Sequence, residues 1–290
     1  MRHRRWVLFT LFALGLFLFR TAMAILPNVI YGDDDRIDYY QASPSLQSLA
    51  DSTVALVRTA SLEVNGDTVN LKTTAYGTGM GLCASEPFYS QETLAFCSGS
   101  LVAPNVILTA GHCIRSQLSC DSTRFVFGFR MNSETEIVKQ VPASQVYACK
   151  RLIHSVANPQ GEDFALVELD RPVTQVAPLN LGARSAVGDA LTVLGHPAGL
   201  PLKIAGQAVV RRVEEQFMVT NLDTYGGNSG SAVVSSTSGQ IVGVLVRGEM
   251  DYIYQNGCRV SNRCPSDGCR GEDVTLIERV LPHLPQPTVH

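Results

Sequence analysis

The 290-residue sequence has few charged residues and no excess of positive charge. Asp, Glu, Lys and Arg make up 17% of the residues and hydrophobic residues 45%, which is unlike the composition of a disordered chain. The formal net charge of −3 gives no electrostatic signature of nucleic-acid binding. Internal repeats and low-complexity segments are also missing. These absences favour a globular protein of one or two domains that does not bind nucleic acid.

Hydrophobic runs long enough to span a membrane are missing as well. The longest run, residues 6–19, follows basic residues at 2–5 and precedes Ala22-Met23-Ala24, which is the pattern of a signal peptide cleaved after Ala24. An uncleaved anchor is the alternative, but a membrane span needs roughly 20 apolar residues. Loss of residues 1–24 removes four arginines and brings the formal charge to −7. We therefore expect a secreted or periplasmic protein without stable membrane insertion.

The cysteines all lie beyond this segment, and their number is even. An even count in an exported chain favours disulfides, here four, although the count does not give the pairing. A zinc site in the C-terminal cluster is the alternative, but the spacings there do not match the paired C-x2-C pattern of structural zinc sites. The eight residues are Cys83, Cys97, Cys113, Cys120, Cys149, Cys258, Cys264 and Cys269.

Most of the chain consists of short segments rich in Val, Ile, Leu, Phe and Thr that are separated by Gly, Pro, Asn and Asp. Such segments are typical of the strands of a sandwich or barrels. Helical periodicity is convincing only at 272–284, and a short helix is expected to begin near Ala110. The segment 172–178, bounded by prolines, divides two β-rich halves. The predicted strands are 53–58, 99–108, 124–129, 136–141, 164–169, 190–194, 208–213, 217–220, 232–234 and 241–247.

Three separate segments contain residues suited to nucleophilic catalysis. His112 lies in the segment TAGHC, where a neutral imidazole can accept a hydroxyl proton near physiological pH. Asp163 begins the apolar segment DFALV, where a buried carboxylate can orient that imidazole. Ser229 lies in the turn GGNSGS, whose glycines allow the N–H groups of Gly227 and Ser229 to form an oxyanion hole. Each segment alone is more typical of a structural role, but the combination in the order His, Asp, Ser is specific.

This order, with its T-A-x-H-C and G-x-S-G segments, resembles the chymotrypsin-like (trypsin-like) serine endopeptidases from about residue 53 to residue 247. The resemblance implies an all-β fold of two antiparallel six-stranded barrels with a short C-terminal helix and disulfides. The first barrel is expected at 51–171 and the second at 172–250. An N-terminal segment or propeptide at 25–50 precedes them, and a Cys-rich tail with the helix follows at 251–290.

The resemblance also implies a mechanism. His112 takes the proton of Ser229, Asp163 orients His112, and an acyl-enzyme forms and is hydrolysed without a metal or organic cofactor. The partners are then protein or peptide substrates, and the protein is expected to act as a monomer. In the family, a disulfide closes a loop behind the histidine, which here implies the pair Cys97–Cys113. The pair Cys120–Cys149 is the next most plausible.

The sequence departs from the pancreatic enzymes at the residue before the nucleophile. Asn228 stands where those enzymes have an aspartate that pairs with a new N-terminus, so activation by that salt bridge is not expected. The asparagine and the segment TYGGNSGS are closer to the bacterial glutamyl endopeptidase branch. In that branch a histidine in the following strand binds the substrate carboxylate, whereas this chain has Leu245. A glutamate preference is therefore in doubt.

Asp223 lies six residues before Ser229, where trypsin-type enzymes have the aspartate of their substrate pocket. We expect Asp223, with Val244, Leu245 and Val246, to bind substrate and to favour Arg or Lys before the scissile bond. The alternative is that Asp223 caps a turn or faces solvent. A catalytically silent binding protein on the same fold is the alternative function, although all three triad residue types are present. A protease with a following peptide-binding domain is disfavoured, because only about 40 residues follow 247.

Overall fold

The computed structural model describes residues 29–285, which form two antiparallel six-stranded β-barrels. The expected signal peptide, its expected cleavage after Ala24 and the start of the expected propeptide lie outside the described residues. Within 29–285, no helix is both long enough and apolar enough to cross a membrane. The architecture confirms the two-barrel fold expected from the sequence.

The first barrel closes through pairing of its first strand with the strand at 123–127. The segments are rich in β-branched and aromatic residues, which pack well on a pleated sheet. Strand Asp163–Leu169 pairs with strand Val106–Thr109, so the two segments that carry Asp163 and precede His112 are neighbours in the barrel. In spatial order the strands are Thr123–Phe127, Val146–Ala157, Asp163–Leu169, Val106–Thr109, Cys97–Ala103 and Thr53–Arg58.

The second barrel closes because strand Ala190–Gly195 pairs with Lys203–Val213 on one side and with Ala232–Ser235 on the other. A two-residue strand, Ile37–Asp38, adds to its edge. One apolar cluster contains buried side chains of both barrels, among them Leu56 and Leu166 of the first and Val234 and Val244 of the second. In spatial order the barrel strands are Ala190–Gly195, Ala232–Ser235, Ile241–Arg247, Glu272–Leu276, Phe217–Thr220 and Lys203–Val213.

The prediction of a helix over 272–284 is wrong in its first five residues. Glu272–Leu276 is a strand of the second barrel, paired on one side with 241–247 and on the other with 217–220. All five residues are buried, including Glu272 and Asp273, so the strand lacks the usual alternation of apolar and polar residues. The helix itself is short, Ile277–Val280, and continues as a 3-10 turn at Leu281–His283. The second barrel thus extends past the boundary expected at residue 250.

Three smaller predictions also differ from the structure. The single strand expected at 99–108 is a pair of strands, Cys97–Ala103 and Val106–Thr109. The helix expected near Ala110 begins instead at Gln117, where Ser116 caps its N-terminus. The strand expected at 136–141 is reduced to Gln140–Pro142.

The remaining elements are short and lie outside the two barrels. The other strands are Ile30–Tyr31, Leu62–Asn65, Thr68–Leu71, Thr74–Ala75, Glu92–Thr93, Tyr252–Gln255, Cys258–Ser261 and Arg263–Cys264. The other α-helices are Pro44–Ala50, Tyr76–Met80 and Gln117–Asp121. The other 3-10 helices are Tyr39–Gln41, Thr59–Ser61, Ala143–Gln145 and Pro197–Gly199.

All eight cysteines are paired in four disulfides. Two pairs are those favoured by the sequence, Cys97–Cys113 and Cys120–Cys149. The other two involve the tail: Cys83 is bonded to Cys258, which ties the hairpin formed by Tyr252–Gln255 and Cys258–Ser261 to the first half of the chain, and Cys264 is bonded to Cys269. The cysteines proposed as an alternative zinc site are therefore in disulfides.

Candidate active site

His112 lies in a turn directly after the barrel strand Val106–Thr109. The preceding residue must be glycine, because a Cβ on Gly111 would lie 1.9 Å from the carbonyl oxygen of Val156. The Cys97–Cys113 disulfide connects the turn to the adjacent strand. The backbone leading to the imidazole is thus held by close packing on one side and by a covalent bond on the other.

Asp163 holds the imidazole through two contacts. Its Oδ2 lies 2.7 Å from His112 Nδ1, and its Oδ1 accepts a hydrogen bond from the His112 backbone N–H at 3.0 Å. The Asp163 side chain is only 6% exposed, whereas the His112 side chain is 29% exposed. An ionised Asp163 favours the tautomer that carries a proton on Nδ1 and leaves Nε2 as an acceptor. The two residues thus meet as the sequence predicted.

Thr275 anchors the backbone of Asp163. Its hydroxyl accepts from the Asp163 N–H at 3.2 Å and donates to the Asp163 carbonyl at 3.1 Å. Thr275 belongs to strand Glu272–Leu276, where the sequence pattern predicts a helix, so the contact of Thr275 with Asp163 has no sequence signal. The second barrel therefore positions the aspartate of the first.

The turn that carries Ser229 packs against the segments around His112. The Ser229 carbonyl accepts a hydrogen bond from Ser98 N–H at 2.9 Å and lies 3.7 Å from Cys113 Sγ. Gly230 has a φ of +89°, and a Cβ there would lie 2.2 Å from the Ser98 carbonyl oxygen. The glycine therefore allows the close approach between the barrels, which brings the Ser229 turn beside the residue next to His112.

The amides expected to form the oxyanion hole are free to bind a ligand. The Gly226 carbonyl accepts from Ala198 N–H at 2.6 Å, which directs the N–H of the next residue, Gly227, to the opposite side of the peptide. Gly227 has a φ of +93°, which favours glycine. Within residues 29–285, neither the Gly227 N–H nor the Ser229 N–H donates to a protein group. Unpaired amides in a glycine-rich turn are suited to an oxyanion.

Asn228 points into the protein and stabilises the turn. Its Nδ2 donates to Thr224 Oγ1 at 2.6 Å, and its Oδ1 accepts from Ser231 Oγ at 2.8 Å. The residue is 1% exposed. Because a neutral amide with both ends hydrogen-bonded has no charge to pair with an amino terminus, Asn228 holds the turn through internal hydrogen bonds instead.

Asp223 does not form the open base of a substrate pocket. It is 4% exposed, and its two oxygens accept hydrogen bonds from Tyr31 N–H at 2.7 Å and Asp35 N–H at 3.1 Å. The pKa of Asp223 is raised to about 7, chiefly by burial; the two N–H donors act against this shift, and the nearby Asp35 and Asp34 charges act with it. The carboxyl group anchors the N-terminal segment 29–35, which corrects the expectation of a specificity role.

The other three expected substrate-binding residues are also enclosed. Val244 and Leu245 are 0% exposed and Val246 is 4% exposed. Leu245 packs in the core of the second barrel, while Val244 and Val246 belong to the cluster shared by both barrels. These side chains are occupied by packing within the protein, so the structure does not place them on a substrate pocket.

Asp251 is a polar contact of the nucleophile turn that sequence reasoning missed. Its Oδ2 and Oδ1 lie 3.0 and 3.2 Å from the Gly226 backbone nitrogen. No motif surrounds it, and only the fold of the tail brings it to the turn.

The described residues offer little to a metal ion. Within 29–285, the one candidate cluster is Cys97, His112 and Cys113, whose cysteines are bonded to each other and lack thiolates. In the acidic run at 33–35, Asp34 binds the Arg36 guanidinium with both oxygens, at 2.8 and 2.7 Å.

Comparison with known proteins bears on the fold and the family. The chain is similar to a structure of Glu endopeptidase in complex with MPD, with 20% identity, a TM-score of 0.47, and coverage of 81% of this chain and 94% of that one. It is also similar to the VesB protease of Vibrio cholerae, with 17% identity, a TM-score of 0.52, and coverage of 88% and 66%. The second likeness supports the fold. A family model described as a trypsin-like peptidase domain matches residues 97–244, which include His112, Asp163 and Ser229. Because that match spans half of the sequence, the chain belongs to the trypsin-like peptidase family.

Proposed function

We propose that this chain is a serine endopeptidase that cleaves peptide bonds with His112, Asp163 and Ser229. The observation that carries the proposal is the pairing of His112 Nδ1 with Asp163 Oδ2 at 2.7 Å, beside the turn that holds Ser229. The unpaired N–H groups of Gly227 and Ser229 complete the set of groups that acyl transfer requires.

In the proposed reaction His112 Nε2 accepts the Ser229 hydroxyl proton while Oγ attacks the substrate carbonyl carbon. The imidazolium that forms is stabilised by Asp163, which stays ionised, and the proton then passes to the leaving amine. A water molecule, activated by His112 in the same way, hydrolyses the acyl-enzyme and restores Ser229. These steps need no metal ion and no organic cofactor.

The developing negative charge on the carbonyl oxygen is the main electrostatic demand of this reaction. The Gly227 and Ser229 amides are held by the turn before substrate binds, so they need not reorganise during the reaction. Each such donor contributes about 10²–10³ in rate.

The proposal does not include a preference for Arg or Lys. That preference depended on Asp223, whose carboxyl group already accepts from Tyr31 and Asp35. A glutamate preference lacks support as well, because Leu245 is part of the second-barrel core.

We also propose that the protein is exported. Four disulfides form and persist in oxidising compartments such as the periplasm or the extracellular space. The N-terminal pattern at 1–24 agrees with this location.

The test is labelling and peptide hydrolysis by the full chain produced in an oxidising compartment. A fluorophosphonate probe should label Ser229. Of three fluorogenic peptides with Arg, Glu or Phe before the scissile bond, the chain should cleave at least one. Ser229→Ala should abolish both, while Ser144→Ala, a change of an exposed serine, should leave both unchanged. Absence of both labelling and cleavage in the wild-type chain contradicts the proposal and favours a binding protein on the same fold.

A further inference from the structure

The Cys-rich tail reaches the nucleophile turn through Asp251. Both carboxylate oxygens of Asp251 face the Gly226 N–H, at 3.0 and 3.2 Å. A carboxyl oxygen accepts a backbone N–H hydrogen bond and thereby restricts the orientation of that peptide. The contact joins a residue of the tail to the residue that precedes the first oxyanion donor, Gly227.

This hydrogen bond limits the rotation of a pair of glycines. Gly226 and Gly227 lack side chains, so their shared peptide has few steric barriers to a flip. The Gly226 N–H is held by Asp251 and the Gly226 carbonyl by Ala198, at 2.6 Å. With both ends of Gly226 held, the direction of the following Gly227 N–H is determined as well. A flip would place a carbonyl oxygen where the oxyanion donor should be.

The tail holds Asp251 firmly in place. Its carbonyl accepts from Asn262 N–H at 2.8 Å, and it precedes the hairpin of strands Tyr252–Gln255 and Cys258–Ser261. The Cys83–Cys258 disulfide fastens this hairpin to a loop of the first half of the chain. Because the hairpin fixes the position of Asp251, its hydrogen bond to the Gly226 N–H restrains the glycine turn.

A second contact from the same hairpin supports the neighbouring residue. Tyr225 donates its hydroxyl to Ser261, whose hydroxyl in turn donates to Glu86. Tyr225 is 0% exposed, and its ring lies 4.9 Å from that of Tyr252. The tail thus holds two successive residues, Tyr225 and Gly226, just ahead of the oxyanion donors.

We propose that Asp251 is a positioning residue of the oxyanion hole, acting through the Gly226 N–H, and that the disulfide-bonded hairpin holds it there. The inference rests on the proposed function. Asp251 acts through the position of its oxygens and not through its charge, because a negative charge near a developing oxyanion is unfavourable. The asparagine variant, which keeps an acceptor oxygen, should therefore retain function.

The experiment measures kcat, KM and inhibition by a peptide aldehyde for three variants of the full chain. The aldehyde forms a hemiacetal whose oxygen occupies the oxyanion hole, so its Ki reports on those donors. We expect Asp251→Ala to lower kcat about 10- to 100-fold, part of the loss caused by removing one donor. The aldehyde Ki should rise by the same factor and KM should change less than about threefold. Asp251→Asn should stay within about threefold of wild type.

Asp251→Glu keeps the charge but moves the carboxylate by one methylene, so it should lose kcat while preserving the fold. Asp267→Ala, a change of an exposed acid in the same tail, serves as the matched control and should leave all values unchanged. Thermal unfolding of each variant checks folding. If Asp251→Ala does not fold, the Asn and Glu variants decide.

Wild-type kcat in Asp251→Ala or Asp251→Glu overturns the inference, as does an Asn variant with the wild-type folding temperature but as inactive as the Ala variant. These results are distinct from failure of the proposed function, in which the wild-type chain itself neither cleaves peptides nor reacts at Ser229.

Discussion

Replacement of Asp223 by asparagine should remove a large part of the pH dependence of stability. Burial raises the pKa of Asp223 from 3.8 to about 7, so between these values the folded protein holds a proton that the unfolded chain has released. The stability contributed by the protonated carboxyl is fully present below about pH 4 and is lost as the pH rises through 7. Each pKa unit corresponds to about 1.4 kcal/mol, so the loss is about 4 kcal/mol.

The amide introduced by Asp223→Asn would not titrate and would keep one of the two hydrogen bonds that the carboxylate accepts. Its oxygen can still accept from the Tyr31 N–H, which lies 2.7 Å from the carboxylate in the wild-type chain, but its NH2 cannot accept from the Asp35 N–H, which in wild type donates to Asp223 Oδ2 at 3.1 Å. The loss of that hydrogen bond does not vary with pH, so it shifts the whole stability curve and leaves its slope unchanged. We therefore expect the free energy of unfolding of the variant, minus that of wild type, to increase by about 4 kcal/mol as the pH rises from 4 to 8. Buried acids that do not contact Asp223, such as Glu272, are present in both proteins, so their contributions largely cancel in the difference. Asp35 interacts directly with Asp223, so the substitution also changes the pKa of Asp35, and the measured difference contains both groups.

The assay is equilibrium unfolding in urea at several values between pH 4 and pH 8 with the disulfides intact. Both proteins should carry Ser229→Ala, so that autolysis does not distort the curves. Asp267→Asn is the matched control at an exposed position and should follow wild type at every pH. A constant offset between the Asp223→Asn and wild-type curves would refute the reasoning, because it would show that Asp223 does not change its protonation over this range.

Two further predictions concern catalysis. In Asp163→Asn the amide would donate to His112 Nδ1 and leave Nε2 protonated, so kcat for the peptide that wild type cleaves should fall about 10⁴-fold with little change in folding temperature; a loss below tenfold contradicts the proposed role. In Gly227→Ala the Cβ would lie 2.8 Å from Gly199 N at a φ of +93°, so kcat should fall about 10²–10³-fold, whereas Gly66→Ala, with no atom within 4 Å of its Cβ, should retain activity in the same assay. Equal activity of the two glycine variants would contradict the oxyanion assignment.

Much of the fold was predictable because strand composition is a local property. The strands at 53–58, 217–220 and 241–247 agree with their predicted bounds, since each is a short β-branched run between turn residues. The strand Val146–Ala157 had no such signal, because it is only partly buried. Lys150 and Arg151 are stabilised there by Glu168 of the paired strand, at 2.6 and 2.8 Å. The sequence alone does not show which residue faces another across two strands until the pairing of the strands is known.

The sequence also placed the candidate catalytic residues, although their roles stay a prediction. The chemistry of His112, Asp163 and Ser229 follows from residue type and from short motifs whose glycines shape the local backbone. The structure brings Asp163 to His112 and packs the Ser229 turn beside Cys113. The expected role of Asp223 in substrate specificity depended on tertiary contacts and not on local chemistry. The sequence around Asp223 is the same whether its carboxyl group faces an open pocket or, as here, accepts hydrogen bonds from the segment 29–35.

By itself, the sequence determined the β-rich composition and the residue types available for acyl transfer, because these depend on side-chain chemistry and on neighbours within a few positions. The expectation of two barrels came from the family resemblance of its short motifs. Only the tertiary structure decided which groups surround each carboxylate. Asp163 meets His112 across 51 residues, Asp223 meets Tyr31 across 192, and Asp251 meets Gly226 through a tail tied down by a disulfide. Burial, protonation and hydrogen bonding depend on those distant partners, and local sequence does not encode them.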